Sequence, residues 1–145
     1  MRHCCLMLVL LAATACQPAD DTMVQYLKAD AASPLPFSDA VRVGHLLFLS
    51  GQIGVAGDTL VAGGIREETR QALENIATVL ERNGSSMDRV VKCFVMLADI
   101  RDWSTMNEVY VTFFTEHLPA RSAMGASGLA LGARVEIECL ATVAP

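Results

Sequence analysis

The chain predicts an α+β layer, with strands and two helices in the order ββ-α-β-α-ββ and both helices on one face of the sheet. Three observations carry this expectation. Between Ile65 and Asn83, Leu73, Ile76, Ala77 and Leu80 fall at spacings of three, four and seven, which gives one apolar stripe on a helix. Val135-Glu136-Ile137-Glu138-Cys139-Leu140 alternates with period two, as a half-buried strand does. Val90 to Ala98 is dense in apolar residues on both faces, as in a covered sheet.

The elements follow in order. Arg2 and His3 make a short basic start, Cys4 to Ala13 is almost wholly apolar, and Thr14-Ala15 precede Cys16. This is the layout of an export signal over residues 1–15, too short for a membrane span. Small residues directly before Cys16 resemble the lipobox of bacterial lipoproteins, in which the cysteine becomes the lipidated first residue, although alanine stands where leucine is usual. Residues 16–32 are polar and Ala/Asp-rich and read as a tether. The folded domain is expected over residues 33–145, entered through the extended run Ser33-Pro34-Leu35-Pro36.

Val41-Arg42-Val43 and Leu46-Leu47-Phe48-Leu49 flank Gly44-His45, a β-hairpin pattern. The first helix, about Ile65 to Asn83, has Glu67 and Glu68 in its first turn, favourable to the dipole, and Asn83-Gly84 as its stop. After the strand at 90–98, Asp102 is placed to cap a second helix from about Trp103 to His117, with Met106, Tyr110, Phe113 and Phe114 toward the core. Ala120 to Ala126 reads as a strand, residues 127–133 as a loop, and Arg134 to Val143 as the last strand. Two helices cover one sheet face only. Glu136, Glu138 and Leu140 share the other, so that face is partly apolar and calls for a second subunit.

Composition narrows the function. Without the leader, Arg2 is lost from the eleven Lys and Arg, leaving ten against sixteen Asp and Glu and a net charge of −6. Such a surface repels phosphate backbones, so nucleic acid is a poor partner. Cys93 and Cys139, the only cysteines beyond Cys16, sit in apolar runs and read as small buried hydrophobes. A bridge between them stays open, because sequence carries no Cα separation.

The chemistry centres on two residues. Arg121 lies in Leu118-Pro119-Ala120-Arg121-Ser122, and Glu136 follows fifteen positions later. A guanidinium can hold a carboxylate through two parallel charge-assisted hydrogen bonds, and a carboxylate can take a proton from water. Together they suggest hydrolysis of a small organic acid without a metal or a covalent intermediate. Ser50 has no His–Asp partnership, so it is a poor nucleophile. His45 and His117 lack metal-ligand spacing. A strand follows Gly125, Gly128 and Gly132, which rules out a phosphate loop.

The segments Leu49-Ser50-Gly51-Gln52-Ile53, Phe113-Phe114-Thr115-Glu116-His117, Pro119-Ala120-Arg121-Ser122 and Val135-Glu136-Ile137-Glu138 resemble, in register, the RidA/YjgF family of reactive-intermediate deaminases. The resemblance implies a chorismate-mutase-like fold and a homotrimer with pockets between subunits. It also implies cofactor-free hydrolysis of 2-imino acids and enamines to 2-oxo acids and ammonia. By position, Arg121 matches the substrate-carboxylate arginine and Glu136 the carboxylate near the attacking water. Ser50 and Asn107 match further pocket residues. Phe37 stands where the archetype has tyrosine and Ala123 where it has cysteine, so a hydroxyl and a thiol are missing. Expected partners are an imino or keto acid and two further copies of the chain, with a membrane only through Cys16. The expected location is the bacterial cell envelope, in the periplasm. A carboxylate-binding trimer without turnover and, less in keeping with the acidic surface, a ribonuclease are the alternatives.

Overall fold

The computed structural model describes residues 23–30, 32 and 34–144; the expected leader and Cys16 lie outside the described residues. The first strand, β1 (Val24–Leu27), pairs antiparallel with β2 (Ala40–Val43), placing Tyr26 opposite Val41 and Leu27 opposite Ala40. The stretch read as a tether therefore contains a sheet strand. Its signal is the alternation Val24-Gln25-Tyr26, too short between polar, acidic flanks to stand out as a period.

Strand β2 turns at Gly44-His45 into β3 (Leu46–Leu49), with Val43 opposite Leu46, as the hairpin pattern predicts. A two-residue strand, β4 (Gln52–Ile53), and a small ribbon of β5 (Val55–Ala56) and β6 (Thr59–Leu60) lead into helix α1 (Ile65–Arg82). The helix buries Ala72, Leu73, Ile76, Val79 and Leu80, while Ala77 stays half-buried on the flank. Beyond it Gly84 takes φ +75°, a left-handed turn that favours glycine and stops the helix. Glu68 does more than complement the dipole. It is buried, and its Oε2 accepts a 2.7 Å hydrogen bond from the backbone N–H of Arg134.

Next come β7 (Val90–Leu97), α2 (Trp103–Tyr110), β8 (Ala120–Gly125) and β9 (Val135–Thr142). The main sheet runs β1-β2-β3-β9-β7-β8, with β4 also on β9. All its pairs are antiparallel except β7 with β8. Toward the helices, Cys93, Val95 and Leu97 of β7 and Val135, Ile137, Cys139 and Ala141 of β9 are buried. Burial of each Val, Leu or Ile side chain contributes roughly 1.5–3 kcal/mol. The other face carries Phe94, Met96, Glu136 and Leu140, all half-buried, beside the exposed Phe48, Met124 and Glu138.

Three expectations are corrected. The second helix ends at Tyr110 and tightens into a 3₁₀ turn, Val111–Phe113, where β-branched Val111 and Thr112 weaken the α form. Asp102 makes no capping hydrogen bond; its Oδ2 instead accepts from Arg134 Nε and Nη2 at 3.2 and 3.1 Å. A 3₁₀ turn, Ile100–Asp102, runs straight into α2, so the cap moves one turn earlier to Asp99, whose side chain accepts from the Arg101 N–H. Finally, Cys93 and Cys139 stand opposite each other in the β7–β9 register, with Cα atoms 4.1 Å apart, and are joined as a disulfide.

Candidate functional site

Arg121 belongs to β8, the edge strand, and stands in register with Cys93 of β7. Cys93 is buried beneath the helices, so Arg121 shares the helix-covered face. There α2 presents Trp103, Asn107 and Tyr110 at spacings of four and three, one face of a helix. Arg121 Nη1 donates to Asn107 Oδ1 at 2.7 Å. The guanidinium carbon lies 4.7 Å from the Tyr110 ring centroid and 5.3 Å from that of Trp103, within cation–π range. A hollow of about 350 Å³ opens here, lined by Asn107, Tyr110, Val111, Leu118, Pro119 and Arg121. Ala123 follows two residues along β8, half-buried against the core.

Tyr110 is buried, and its hydroxyl has no hydrogen-bond partner among the described residues. Burial pushes the phenol up to about 12, with the Arg121 charge acting in the opposite direction. Neither Trp103 nor Tyr110 stood out in the sequence as a site residue. Their signal was their placement four residues before and three after Asn107, which also fits an ordinary core stripe.

Glu136 is placed differently. It pairs in register with Met96 of β7 and Ile53 of β4, and it is half-buried on the face that no helix covers. Its carboxylate lies over Gly51: a Cβ built at Gly51 would collide with Glu136 Oε1. Ser50, next to Gly51, donates through Oγ to the Ser38 carbonyl at 2.6 Å, and its N–H donates to the Asp39 carbonyl. That serine hydroxyl proton is thereby committed to the backbone. Phe37, beside Ser38, is exposed.

The expected residues thus form two groups. Arg121, Asn107 and Ala123 lie at the β8–α2 edge; Glu136 lies on β9 with Ser50 at the end of the neighbouring β3, and Phe37 is exposed just before β2. From Arg121 to Glu136 the path crosses two strand spacings and three residues along β9. The Cα atoms are therefore about 14 Å apart, with the side chains on opposite faces. One protomer does not bring the guanidinium and the carboxylate together. Among the described residues no group of three or more His, Cys, Asp and Glu is placed to hold a metal ion.

The family model described as endoribonuclease L-PSP matches residues 28–143. The chain belongs to the RidA/YjgF family. A mouse relative, named 2-iminobutanoate/2-iminopropanoate deaminase, is 44% identical over 112 residues, covering 76% of this chain and 83% of that protein. Among solved RidA/YjgF structures, the Rid-family protein YyfA from Yersinia pestis superposes with a TM-score of 0.77 at 36% identity, covering 83% of this chain and 100% of that one. The Escherichia coli protein TdcF, solved with bound serine, gives 0.72 at 32% identity, covering 77% of this chain and 91% of that one. RidA/YjgF membership accounts for the two helices packed on one face of a mixed sheet.

Proposed function

We propose that this chain hydrolyses 2-imino acids and their enamine tautomers to 2-oxo acids and ammonia, in pockets formed between the subunits of a homotrimer. The observation that carries this reading is the separation of Arg121 from Glu136 within a protomer, both half-buried, one on the edge strand β8 and the other on the helix-free sheet face, where a second copy could complete each. The deaminase name of the mouse relative supports the reaction class.

In this mechanism Arg121 receives the substrate carboxylate, a contact contributing about 1.5–3 kcal/mol. Water attacks the carbon of the imine, already protonated on nitrogen from solvent, and loses a proton to Glu136 while the C=N π electrons move to nitrogen, giving a neutral carbinolamine. Glu136 then passes that proton to the amino nitrogen; the C–N bond breaks, ammonia leaves, and the hydroxyl becomes the 2-oxo carbonyl as its own proton goes through Glu136 to solvent. A positioned base of this kind contributes about 10²–10⁴-fold. Asn107 acts through Arg121, to which it is bonded, and Ser50 shapes the backbone around Glu136. Phe37 and Ala123 contribute surface without a hydroxyl or thiol.

Subunit mixing tests the proposal. Assayed at substrate well below the parent KM, Arg121→Ala and Glu136→Gln chains should each lose most of their activity in an assay coupled to amino-acid oxidase. Refolded together in equal amounts they should regain about a quarter of the parent activity, the chance that one interface joins both intact residues. No recovery from two well-folded variants would overturn the shared pocket. Binding of 2-oxobutyrate without imine turnover by the parent would leave a carboxylate-binding trimer instead. The endoribonuclease description of the family model finds no support in the acidic surface. We further propose export to the bacterial envelope and anchoring through Cys16. The apolar leader supports this, as does a disulfide suited to an oxidising compartment.

A further inference from the structure

An arginine on an edge strand has many rotamers available, and holding it in one conformation before the ligand arrives removes an ordering cost from binding. Three groups of α2 hold Arg121, by different means. Asn107 Oδ1 takes one N–H of Nη1. Trp103 and Tyr110 meet the guanidinium through their rings and take no N–H donor, so donors remain for a planar carboxylate. The Tyr110 hydroxyl, buried and unpartnered among the described residues, adds no bond to the arrangement; its ring face is what meets Arg121. Trp103 is 37% exposed, so it packs on the guanidinium without being part of the buried core.

We infer that Trp103 and Tyr110 are positioning residues, an aromatic bracket that fixes Arg121 toward the hollow beside it and sets the affinity for 2-imino and 2-oxo carboxylates. This rests on the proposed deaminase reading, in which Arg121 is the carboxylate clamp. The clamp binds ground state and transition state alike. Loosening it therefore raises KM and leaves kcat largely in place, whereas damage to the fold lowers kcat through the active fraction.

The test uses the full domain with freshly generated 2-iminobutyrate for turnover, 2-oxobutyrate for calorimetric binding, and thermal unfolding. Trp103→Leu should raise KM and the 2-oxobutyrate Kd together by roughly 2- to 30-fold, the range of a cation–π contact. Its kcat should stay within about twofold of the parent, with an unchanged melting temperature. Trp103→Phe should restore most of the lost affinity. Tyr110→Phe keeps the ring and removes the unpartnered hydroxyl, so it should hold affinity without lowering the melting temperature. The bracket is overturned if Trp103→Leu keeps the parent KM and Kd while Arg121→Ala loses both. It is equally overturned if Trp103→Leu loses kcat and melting temperature at constant KM. If Arg121→Ala itself keeps parent turnover and affinity, the clamp falls and the bracket with it. Absence of imine turnover by the parent domain instead sinks the deaminase reading and leaves the bracket to be judged by 2-oxobutyrate Kd alone.

Discussion

At the scale of single residues, space decides as much as charge. Gly51 matters because it has no Cβ: the Glu136 carboxylate occupies the volume a methyl group would need. Its φ lies outside the left-handed region, so the backbone itself would accept alanine. Gly51→Ala should therefore fold but displace Glu136, and a shift of about 1 Å in a catalytic group can cost on the order of 10²-fold in kcat. A variant with parent kcat would show that Glu136 is not held there for chemistry. Tyr110 makes a second prediction. Its phenol is raised above that of the unfolded chain, near 10, to about 12, chiefly by burial. The folded state thus keeps a proton that the unfolded state releases. The resulting stability is complete below about pH 10 and is lost as pH climbs toward 12. Tyr110→Phe should flatten that alkaline slope, read as the difference in urea midpoint between parent and variant at about pH 9 and about pH 11. The charged residues were legible in sequence because their motifs are local. Trp103 and Tyr110 were not, because aromatic residues at helical spacing look like core until the neighbouring strand is in place.

Among the elements, the join between β7 and β9 carries the most weight. The two strands pair along most of their length, and Cys93–Cys139 ties them across a separation of 46 residues. Loop closure of that length is worth about 4 kcal/mol in the chain-entropy model. Cys93→Ala/Cys139→Ala, compared with the oxidised parent in urea, should lose several kcal/mol, part of it from the deleted packing. Equal midpoints with and without reductant for the parent would exclude a stabilising bridge. The start of β9 has its own anchor. Glu68→Ala leaves the Arg134 N–H without its acceptor and should cost about 1–3 kcal/mol, measurable by the same method. The period of three to four correctly located α1, the period of two β9, and a continuous apolar run β7, since hydrophobic patterning acts over many residues. Strand β1 escaped because four residues show barely one repeat. The end of α2 moved because a 3₁₀ turn and an α-turn share the same apolar positions.

Across the whole molecule, the helix-free sheet face is the unfinished part. Phe48 is 46% exposed on it, with Phe94 and Leu140 around a hollow of about 410 Å³. A charge at its centre should oppose association far more than it disturbs the protomer. Phe48→Glu is expected to keep its circular dichroism spectrum, sediment as a smaller species and lose imine turnover. A variant that remained associated would place the contact elsewhere. Loss of turnover on dissociation follows from the proposed shared pocket, because one protomer does not bring the guanidinium and the carboxylate together.

By itself the sequence determined the layered α+β fold and the buried faces of its longer elements, and it singled out the two charged residues of the proposed site, because periodicity and local motifs are written along the chain. Only the tertiary structure decided that Arg121 and Glu136 lie on opposite faces, that Gly51 makes room for one and Trp103 and Tyr110 grip the other, and that the two cysteines meet. Those are relations between strands and helices far apart in the chain, set by pairing register and packing, and no local pattern encodes a register.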